Sequence, residues 1–262
     1  MKILVFNGSP RMKRGNTEII LTPFLEGARE AGAEVEVVYL RRMKIQPCIG
    51  CFNCWFRTPG ICAIKDDIHI LRDKLMESDI IIYATPVYLF SCTGYMKILM
   101  ERLLFPFTMP EFFLVDNKVY HPARFPDQKW KSLLIANGAF DGEDVFKPLI
   151  DMYERMLKNA VNESEESIFP SLGSITIGFA ELFADENVRS CCSQFFGIMK
   201  NAGQELAGQG FLTKKTLATV NKPVYYYAEM TRQQAILKIN TIVEESKNRY
   251  ILPNYLHTIN KS

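Results

Sequence analysis

The sequence predicts an α/β protein built on a doubly wound parallel sheet with helices on both faces. Three observations predict it. Strand and helix patterns alternate five times along the chain, the first apolar run is short and uninterrupted, and 262 residues suffice for one large domain. Such alternation joins parallel strands through crossover helices.

The apolar run KILVFN at 2–7 is typical of a parallel strand buried on both faces. From Asn16 to Ala31 apolar residues recur at helical spacing, and Gly32 supplies a stop signal. The alternating segment 33–40 predicts the second strand. The remaining predicted elements, in chain order, are helix 66–77, strand 78–88, helix 93–104, strand 130–140, helix 143–161, strand 173–180 and helix 186–210.

A five-stranded sheet of this kind takes the flavodoxin-like strand order 2-1-3-4-5. Two segments fall outside it. Residues 105–129 carry several prolines and aromatic side chains without clear periodicity, and they predict a functional or packed insert. Residues 210–262 predict a helical C-terminal extension with a helix near 229–248. We therefore predict one domain over 1–209, containing a cysteine-rich loop at 47–62 and the insert, followed by the extension.

Composition and charge exclude several classes of protein. The net charge is +2 and the basic residues are dispersed, so nothing indicates a nucleic-acid partner. No apolar stretch approaches the roughly 18–20 residues of a membrane span, and the N-terminal run is too short for a signal peptide. We expect a cytoplasmic protein, in which seven cysteines serve as thiols or metal ligands rather than disulfides. Cys191 and Cys192 are expected to be packing residues.

The segment NGSPRMKRGNT, residues 7–17, joins the first predicted strand to the first helix. Backbone N–H groups and the positive end of the helix meet in such a loop and favour an anion. Ser9, Asn16 and Thr17 add short polar side chains, and Arg11 is one of three cations. Both G-x4-G-K-[ST] and G-x-G-x-x-G are absent. The alternative is a solvated turn in which Asn16 or Thr17 caps the helix.

The segment ATPVYLFSCTGYMKILMER follows the third predicted strand and lies beside the first loop, across the topological switch point of the sheet. This position favours a planar aromatic ligand resting on the backbone of 86–90, with Tyr88 close by. The alternative is that Tyr88, Leu89 and Phe90 are core or lid residues. Cys92 is expected to be a small apolar filler.

The stretch PCIGCFNCWFRTPGIC, residues 47–62, spaces four cysteines as C-x2-C-x2-C-x7-C. Two consecutive C-x2-C steps let three thiolates converge on one centre, and this pattern is typical of 4Fe–4S ligation. Cys62 can supply the fourth ligand, because FRTPG can turn the chain back. Two alternatives stay open, a redox dithiol formed by Cys51 with Cys48 or Cys54, and a zinc site.

Together these motifs resemble the iron–sulfur flavoproteins of the NADPH-dependent FMN reductase and flavodoxin-like superfamily. The resemblance rests on GSPRMKRGNT in the first loop, on ATPVY and TGYMKILMER in the third, and on CIGCFNCW…GIC…KDD between them, and it covers about residues 1–180. Glu101 and Arg102 stand where the superfamily often has Asp-Arg. The insert and the extension have no counterpart in the short core.

The resemblance implies one non-covalently bound FMN per subunit and a 4Fe–4S cluster. The residues implied for the FMN phosphate are Ser9, Arg11, Asn16 and Thr17. Those implied for the isoalloxazine ring are Pro86, Val87, Tyr88 and Leu89, with Asn137 and Gly138 from the loop after the fourth strand. Those implied for the cluster are Cys48, Cys51, Cys54 and Cys62. It also implies a homodimer or homotetramer, with the cluster of one subunit close to the flavin of another.

We therefore expect an FMN-dependent redox protein with a 4Fe–4S cluster. It would pass electrons from a reduced donor, NAD(P)H or a ferredoxin-like protein, to a small or protein acceptor. No side chain need act as nucleophile or general base, since the chemistry belongs to the cofactors. One alternative is an NAD(P)H-dependent FMN or quinone reductase without a cluster. The other is a non-enzymatic flavin-binding redox sensor.

Overall fold

The structure of the protein is a computed structural model that describes residues 1–115, 117–162, 164 and 166–249. The strands in this part of the chain are β1 (Lys2–Asn7), β2 (Glu34–Tyr39), β3 (Ile80–Pro86), β4 (Phe113–Val115), β5 (Lys118–Pro122), β6 (Lys131–Asn137), β7 (Ala160–Val161) and β8 (Ser171–Ile177). The helices are α1 (Asn16–Glu30), α2 (Asn53–Phe56), α3 (Ile68–Met76), α4 (Gly94–Leu104), α5 (Glu143–Leu157), α6 (Glu186–Cys191), α7 (Ser193–Gln209), α8 (Lys214–Val220), α9 (Val224–Tyr227) and α10 (Arg232–Arg249).

The main sheet has five parallel strands in the order β2-β1-β3-β6-β8. Counted within this sheet alone, the order is the predicted 2-1-3-4-5, so the predicted flavodoxin-like α/β fold is confirmed. Asn7 on β1 lies opposite Tyr39 and Ala84, and Pro86 lies opposite Asn137. The carboxyl ends of these strands therefore meet at one edge of the sheet.

The two faces of the sheet carry separate hydrophobic clusters, because successive strand residues point to opposite sides. Ile3 and Val5 on β1 pack with α1 and α7, whereas Leu4 and Phe6 pack with α3, α4 and α5. None of the helices in the described residues is long and apolar enough to span a membrane.

Two glycines bring α1 and α7 into backbone contact. A Cβ atom on Gly203 would lie 1.8 Å from the carbonyl oxygen of Phe24, and one on Gly27 would lie 1.9 Å from that of Lys200. Only glycine fits at such a crossing. This face of the sheet is therefore tightly packed beneath the first loop.

The single helix predicted over 186–210 is divided at Cys192, whose backbone (φ −86°, ψ 23°) leaves the helical region between α6 and α7. Cys192 is buried and Cys191 is exposed. The expectation that both cysteines are packing residues is wrong for Cys191, because the division turns its side chain to solvent.

The insert over 105–129 contains regular structure that the sequence did not predict. β4 and β5 form an antiparallel pair, and β5 runs parallel to β7. The sequence placed Ala160 and Val161 in a helix that here ends at Leu157. The backbone of Val161 instead accepts a hydrogen bond from Ala123 of the insert.

The C-terminal extension packs along β8, the edge strand of the main sheet. The Asn221 side chain accepts from the backbone N–H of Thr176 (2.7 Å) and donates to the carbonyl of Ser174 (3.0 Å). It thus satisfies backbone groups that an edge strand would otherwise expose. The helix predicted near 229–248 corresponds to α10. Residues 250–262 of the predicted extension lie outside the described residues.

Candidate functional site

The loops after β1 and β3 are tied together at the carboxyl edge of the sheet. The Gly8 N–H donates to the carbonyl of Ala84 (2.8 Å), and the Thr93 hydroxyl donates to the carbonyl of Gly8 (2.7 Å). Thr93 also caps α4 by accepting from the N–H of Met96. One threonine therefore fixes the relative position of two loops that the sequence predicts to share a ligand.

The first loop forms a compact, mostly buried cradle. Ser9, Asn16 and Thr17 are buried, and the Ser9 N–H donates to the Asn7 side chain (2.9 Å). A Cβ atom on Gly15 would lie 2.5 Å from the Ser9 hydroxyl, so the chain closes tightly there. The alternative in which Asn16 or Thr17 caps α1 is wrong, because both lie within the helix and the N-cap is Gly15. No side chain among the described residues caps this helix, so its positive end stays available to an anion.

Positive charge surrounds this cradle. Arg11, Lys13 and Arg14 are exposed, and none of them forms an ion pair with any residue that the structure describes. Glu181 follows β8, and burial raises the pKa of its carboxyl group although Arg11 acts to lower it. Its Oε2 atom is buried and has no hydrogen-bond partner among the described residues. Three cations without an ion pair among the described residues thus surround the cradle, and two carboxyl groups lie beside it, that of Glu181 and that of Glu18 in the first turn of α1, which accepts from the Asn7 side chain (3.1 Å).

Asn137 connects the loop after β6 to the loops after β1 and β3. Its side-chain oxygen accepts from the Thr17 hydroxyl (2.7 Å), and its backbone carbonyl accepts from the Val87 N–H (2.7 Å). Asn137 is buried, and Gly138 donates to the carbonyl of Ile177 (3.0 Å). The structure therefore brings the three predicted loops together at one edge.

The loop after β3 turns sharply at Tyr88–Ser91, where these two residues exchange backbone hydrogen bonds of 2.9 and 3.0 Å. The two central residues, Leu89 (φ 49°) and Phe90 (φ 61°), adopt left-handed backbone conformations that cost free energy in non-glycine residues. Tyr88, Leu89 and Phe90 are exposed by 48, 95 and 54%. The alternative that these three side chains belong to the core is wrong, and the alternative that they form a lid stays untested. They form a strained apolar platform beside the cradle.

The four cysteines of the 47–62 loop line one small cavity of about 50 Å³. Its other lining residues include Phe52, Ile64, Arg102 and Phe105. All the cysteines are free, so no disulfide closes this loop. Burial raises the pKa of the Cys54 thiol, and the neighbouring Cys62 raises it further. The cavity therefore has a donor set of four sulfurs within an otherwise largely apolar wall.

Within the described residues, no three His, Cys, Asp or Glu side chains converge as ligands of a single metal ion. The expected convergence of three thiolates on one centre is therefore not found in the described residues, and a mononuclear zinc site gains no support. A 4Fe–4S cluster uses a different arrangement, because each thiolate binds its own iron.

A buried ion pair fixes the cysteine loop to α4. The Arg102 guanidinium donates to both carboxylate oxygens of Asp66, at 2.9 and 3.0 Å, and to the carbonyl of Gln46 at 2.6 Å. The Arg102 and Asp66 side chains are only 1 and 5% exposed. Burial opposes the charge of Arg102, but the Asp66 carboxylate and the neighbouring Cys62 raise its pKa above the ordinary value.

The insert packs against the same loop. The Trp55 indole N–H lies 2.9 Å from the carbonyl of Phe105 and 3.1 Å from the Thr108 hydroxyl. The Trp55 ring lies 5.0 Å from the His121 ring on β5. The insert is therefore a structural neighbour of the cysteine loop.

The loops after β1 and β3 and the cysteine cavity lie at opposite ends of α4. Thr93 caps the helix at the first site, and Arg102 lines the cavity at the second. Nine residues of helix correspond to about 13 Å along the axis. Sequence reasoning missed four residues that connect or line these sites: Asn7, Thr93, Arg102 and Glu181. Asn7, Thr93 and Arg102 lie within the quoted motifs NGSPRMKRGNT and TGYMKILMER, although no role was predicted for these side chains in the site, and Glu181 lies outside every quoted motif.

Residues 1–121 match the family of NADPH-dependent FMN reductases. An iron-sulfur flavoprotein of Archaeoglobus fulgidus is 37% identical over 102 residues, which are 39% of this chain and 48% of the relative. The chain thus spans about half the length of the curated relatives it matches first.

Solved structures of other proteins share the fold over a larger part of this chain. An NAD(P)H:quinone oxidoreductase from Methanothermobacter marburgensis aligns with a TM-score of 0.53 and 15% identity, covering 78% of this chain and 94% of that one. RosB with bound 8-demethyl-8-formylriboflavin-5′-phosphate aligns with a TM-score of 0.52 and 16% identity, covering 97% of this chain and 92% of that one. At these identities the likeness shows the fold alone.

The resemblance predicted from the sequence is therefore confirmed: residues 1–121 match the NADPH-dependent FMN reductase family, and curated relatives of this part of the chain are named iron-sulfur flavoproteins.

Proposed function

We propose that this protein is an FMN-dependent oxidoreductase carrying a 4Fe–4S cluster, which transfers electrons between a reduced donor and a small or protein acceptor. The observation that carries the proposal is the pairing of two sites in one chain. An uncapped, electropositive helix end lies beside an apolar platform, and four thiols line a cavity at the far end of α4.

The residues at the carboxyl edge fit FMN. The closed turn at Gly15 leaves backbone N–H groups at the start of α1 for the phosphate. In the proposal Ser9, Asn16 and Thr17 bind the phosphate with Arg11 supplying charge. The ring rests on Pro86–Leu89, and Asn137 and Gly138 approach it from β6. When bound, FMN supplies hydride and single-electron chemistry, while these residues bind and orient it.

The four thiols fit a cluster by their chemistry, since Cys48, Cys51, Cys54 and Cys62 provide the sulfur donors that such a cluster requires. When bound, a cluster supplies single-electron transfer. Ile64, Phe105 and the aromatic ring of Phe52 limit the access of water to the cavity. The proposed assembly is a homodimer or homotetramer that brings the cavity of one protomer to the flavin platform of another.

The test is anaerobic purification followed by an absorption spectrum and assays of flavin, iron and sulfide. We expect one flavin and about four irons per chain. Cys51→Ala should abolish iron binding and leave FMN bound, whereas Cys191→Ala, which alters an exposed cysteine outside the cavity, should keep both. Full iron content in Cys51→Ala would show that the ligand assignment is wrong.

The phosphate assignment has its own test. Asn16→Ala combined with Thr17→Ala should weaken FMN binding, because charge-assisted hydrogen bonds to a phosphate are among the stronger ones. Binding is measured by the quenching of flavin fluorescence. Unchanged affinity would contradict the cradle.

The family match favours a second candidate, an NAD(P)H-dependent FMN or quinone reductase without a cluster. Bound flavin without iron, together with steady NAD(P)H oxidation, would select it. Bound flavin without turnover of NAD(P)H or of a reduced ferredoxin-like donor would instead select a redox sensor.

A further inference from the structure

Arg102 has one donor that the ion pair does not use. The terminal nitrogens bind Asp66 and the carbonyl of Gln46, and the whole residue is 2% exposed. The Nε atom is buried and has no hydrogen-bond partner among the described residues. A buried, unsatisfied N–H on a charged group is costly, so it marks a position where a partner is expected.

The residues around Arg102 make sulfur the candidate partner. Arg102 lines the cavity that the four cysteines line, and its guanidinium interacts with Cys62. Asp66 binds the two terminal nitrogens of the guanidinium, so the Nε–H points away from this carboxylate and has no acceptor among the described residues. Asp66 also neutralises part of the positive charge of Arg102. The electrostatic influence of Arg102 on the cysteine site therefore depends more on the local N–H dipole than on the net charge of the residue.

On the basis of the proposed cluster, we propose that Arg102 raises the reduction potential of the cysteine site by donating its Nε–H to a ligand sulfur. Reduction adds one electron, supplied by the flavin or an external donor, and transfers no proton, because the hydrogen stays on Nε. The added negative charge spreads onto sulfur, so the hydrogen bond is stronger in the reduced state. Hydrogen bonds to sulfur are a recognised determinant of cluster potentials.

Arg102→Lys is the decisive variant. Lysine keeps a positive charge for Asp66 but places a methylene group where Nε stands. We expect near-native iron and sulfide content, measured anaerobically. We also expect a tenfold loss in the stability of the reduced relative to the oxidised site. That loss is about 59 mV for a one-electron couple, and an EPR-monitored redox titration measures it.

Arg72→Lys is the matched control. The Arg72 Nε–H donates to the carbonyl of Gly60 (2.9 Å), so this residue also holds the cysteine loop, but it does not line the cavity. The potential should therefore stay at the native value in Arg72→Lys. An equal fall in both variants would overturn the inference, because loosening of the loop would then explain the change.

Other outcomes are equally decisive. Native iron content in Arg102→Lys with an unchanged potential overturns the inference and leaves the proposed function intact. If Arg102→Lys loses iron, the same titration is made on Asp66→Asn combined with Arg102→Met, which removes both charges and places a methyl group where Nε stands, and a fall of at least tenfold is expected. Loss of iron from both, with native iron in Arg72→Lys, overturns the inference, since Arg102 would then hold the site instead of setting its potential. Native protein without iron refutes the proposed function, and with it this inference, at the first assay.

Discussion

The two faces of the main sheet are stabilised in different ways. On one face α1 and α7 pack at backbone contact through Gly27 and Gly203. On the other face the cysteine loop is held against α4 by the Arg102–Asp66 pair and by Trp55. The first face supports the cradle with many close contacts, whereas the second supports its site with a few polar ties between distant parts of the chain.

The difference is also visible in solvent exposure. Ser9, Asn16 and Thr17 in the cradle are 2, 6 and 1% exposed. Ile49 and Phe56 in the cysteine loop are 71 and 68% exposed. Loss of one contact should therefore disturb the cysteine loop far more than the cradle.

The largest expected effect is that of Asp66→Ala. It leaves the Arg102 charge buried without its partner, and it removes the acceptor of the Gln46 and Ile68 N–H groups. Removal of one partner from a buried ion pair costs about 3–5 kcal/mol. Urea unfolding should show this loss in the free energy of unfolding.

Asp73→Ala is the control for that measurement. Asp73 pairs with Arg72, but its side chain is 71% exposed. Exposed pairs contribute about 0–1 kcal/mol, so this variant should be nearly as stable as the native protein. Similar losses in both variants would show that burial does not distinguish the two pairs.

The next largest effect is expected on the face of the main sheet that α1 and α7 cover. Gly203→Ala places a methyl group against the Phe24 carbonyl and forces α1 and α7 apart, at an expected cost of about 3 kcal/mol. Gly197→Ala on the same helix meets nothing within 4 Å and should stabilise the protein by about 0.5–1 kcal/mol. If thermal unfolding gave equal stabilities for the two variants, the close crossing would not be a determinant of this face.

A smaller effect is expected at the strained turn. Leu89→Asn with Phe90→Gly supplies the residue types that tolerate two left-handed positions, and it should stabilise the protein by about 1 kcal/mol. The same change removes two side chains of the platform and should weaken FMN binding. Tyr88→Asn, at a position without positive φ, should weaken binding without a gain in stability. A double variant that bound FMN normally would exclude the platform from flavin binding.

The sequence predicted the strand order and the meeting of the loops because both follow from the alternation of strands and helices. Thr17 and Asn137 lie 120 positions apart yet form a hydrogen bond, as expected for residues at the carboxyl ends of parallel strands. The cysteine spacing predicted one shared metal centre. The four thiols do line a common cavity, but no three of them converge as ligands of one ion in the described residues, so the cluster stays a prediction.

The remaining features have weak sequence signals for physical reasons. β7 has two residues, too few for any periodicity, and its strand conformation depends on pairing with β5. Leu89 and Phe90 adopt conformations that their own propensities oppose. Arg102 stands in a helix where a cation normally faces solvent, and it is buried only because Asp66, 36 positions earlier, pairs with it.

The smallest expected effect concerns the pH dependence of stability and depends on the Arg102–Asp66 ion pair. Burial alone would raise the pKa of Asp66, but hydrogen bonds from Arg102 and from the Gln46 N–H lower it below the ordinary value of 3.8. The unfolded state therefore binds the proton more readily, so this stabilisation is complete well above pH 3.8 and is lost as the pH falls through the lower, folded pKa. Asp66→Asn should flatten the dependence of the free energy of unfolding on pH below about 5, relative to the native protein. If the free energy of unfolding of Asp66→Asn depended on pH as steeply as that of the native protein, other carboxylates would control acid unfolding. The cysteine loop would then depend less on the Arg102–Asp66 pair than the comparison of the two faces indicates.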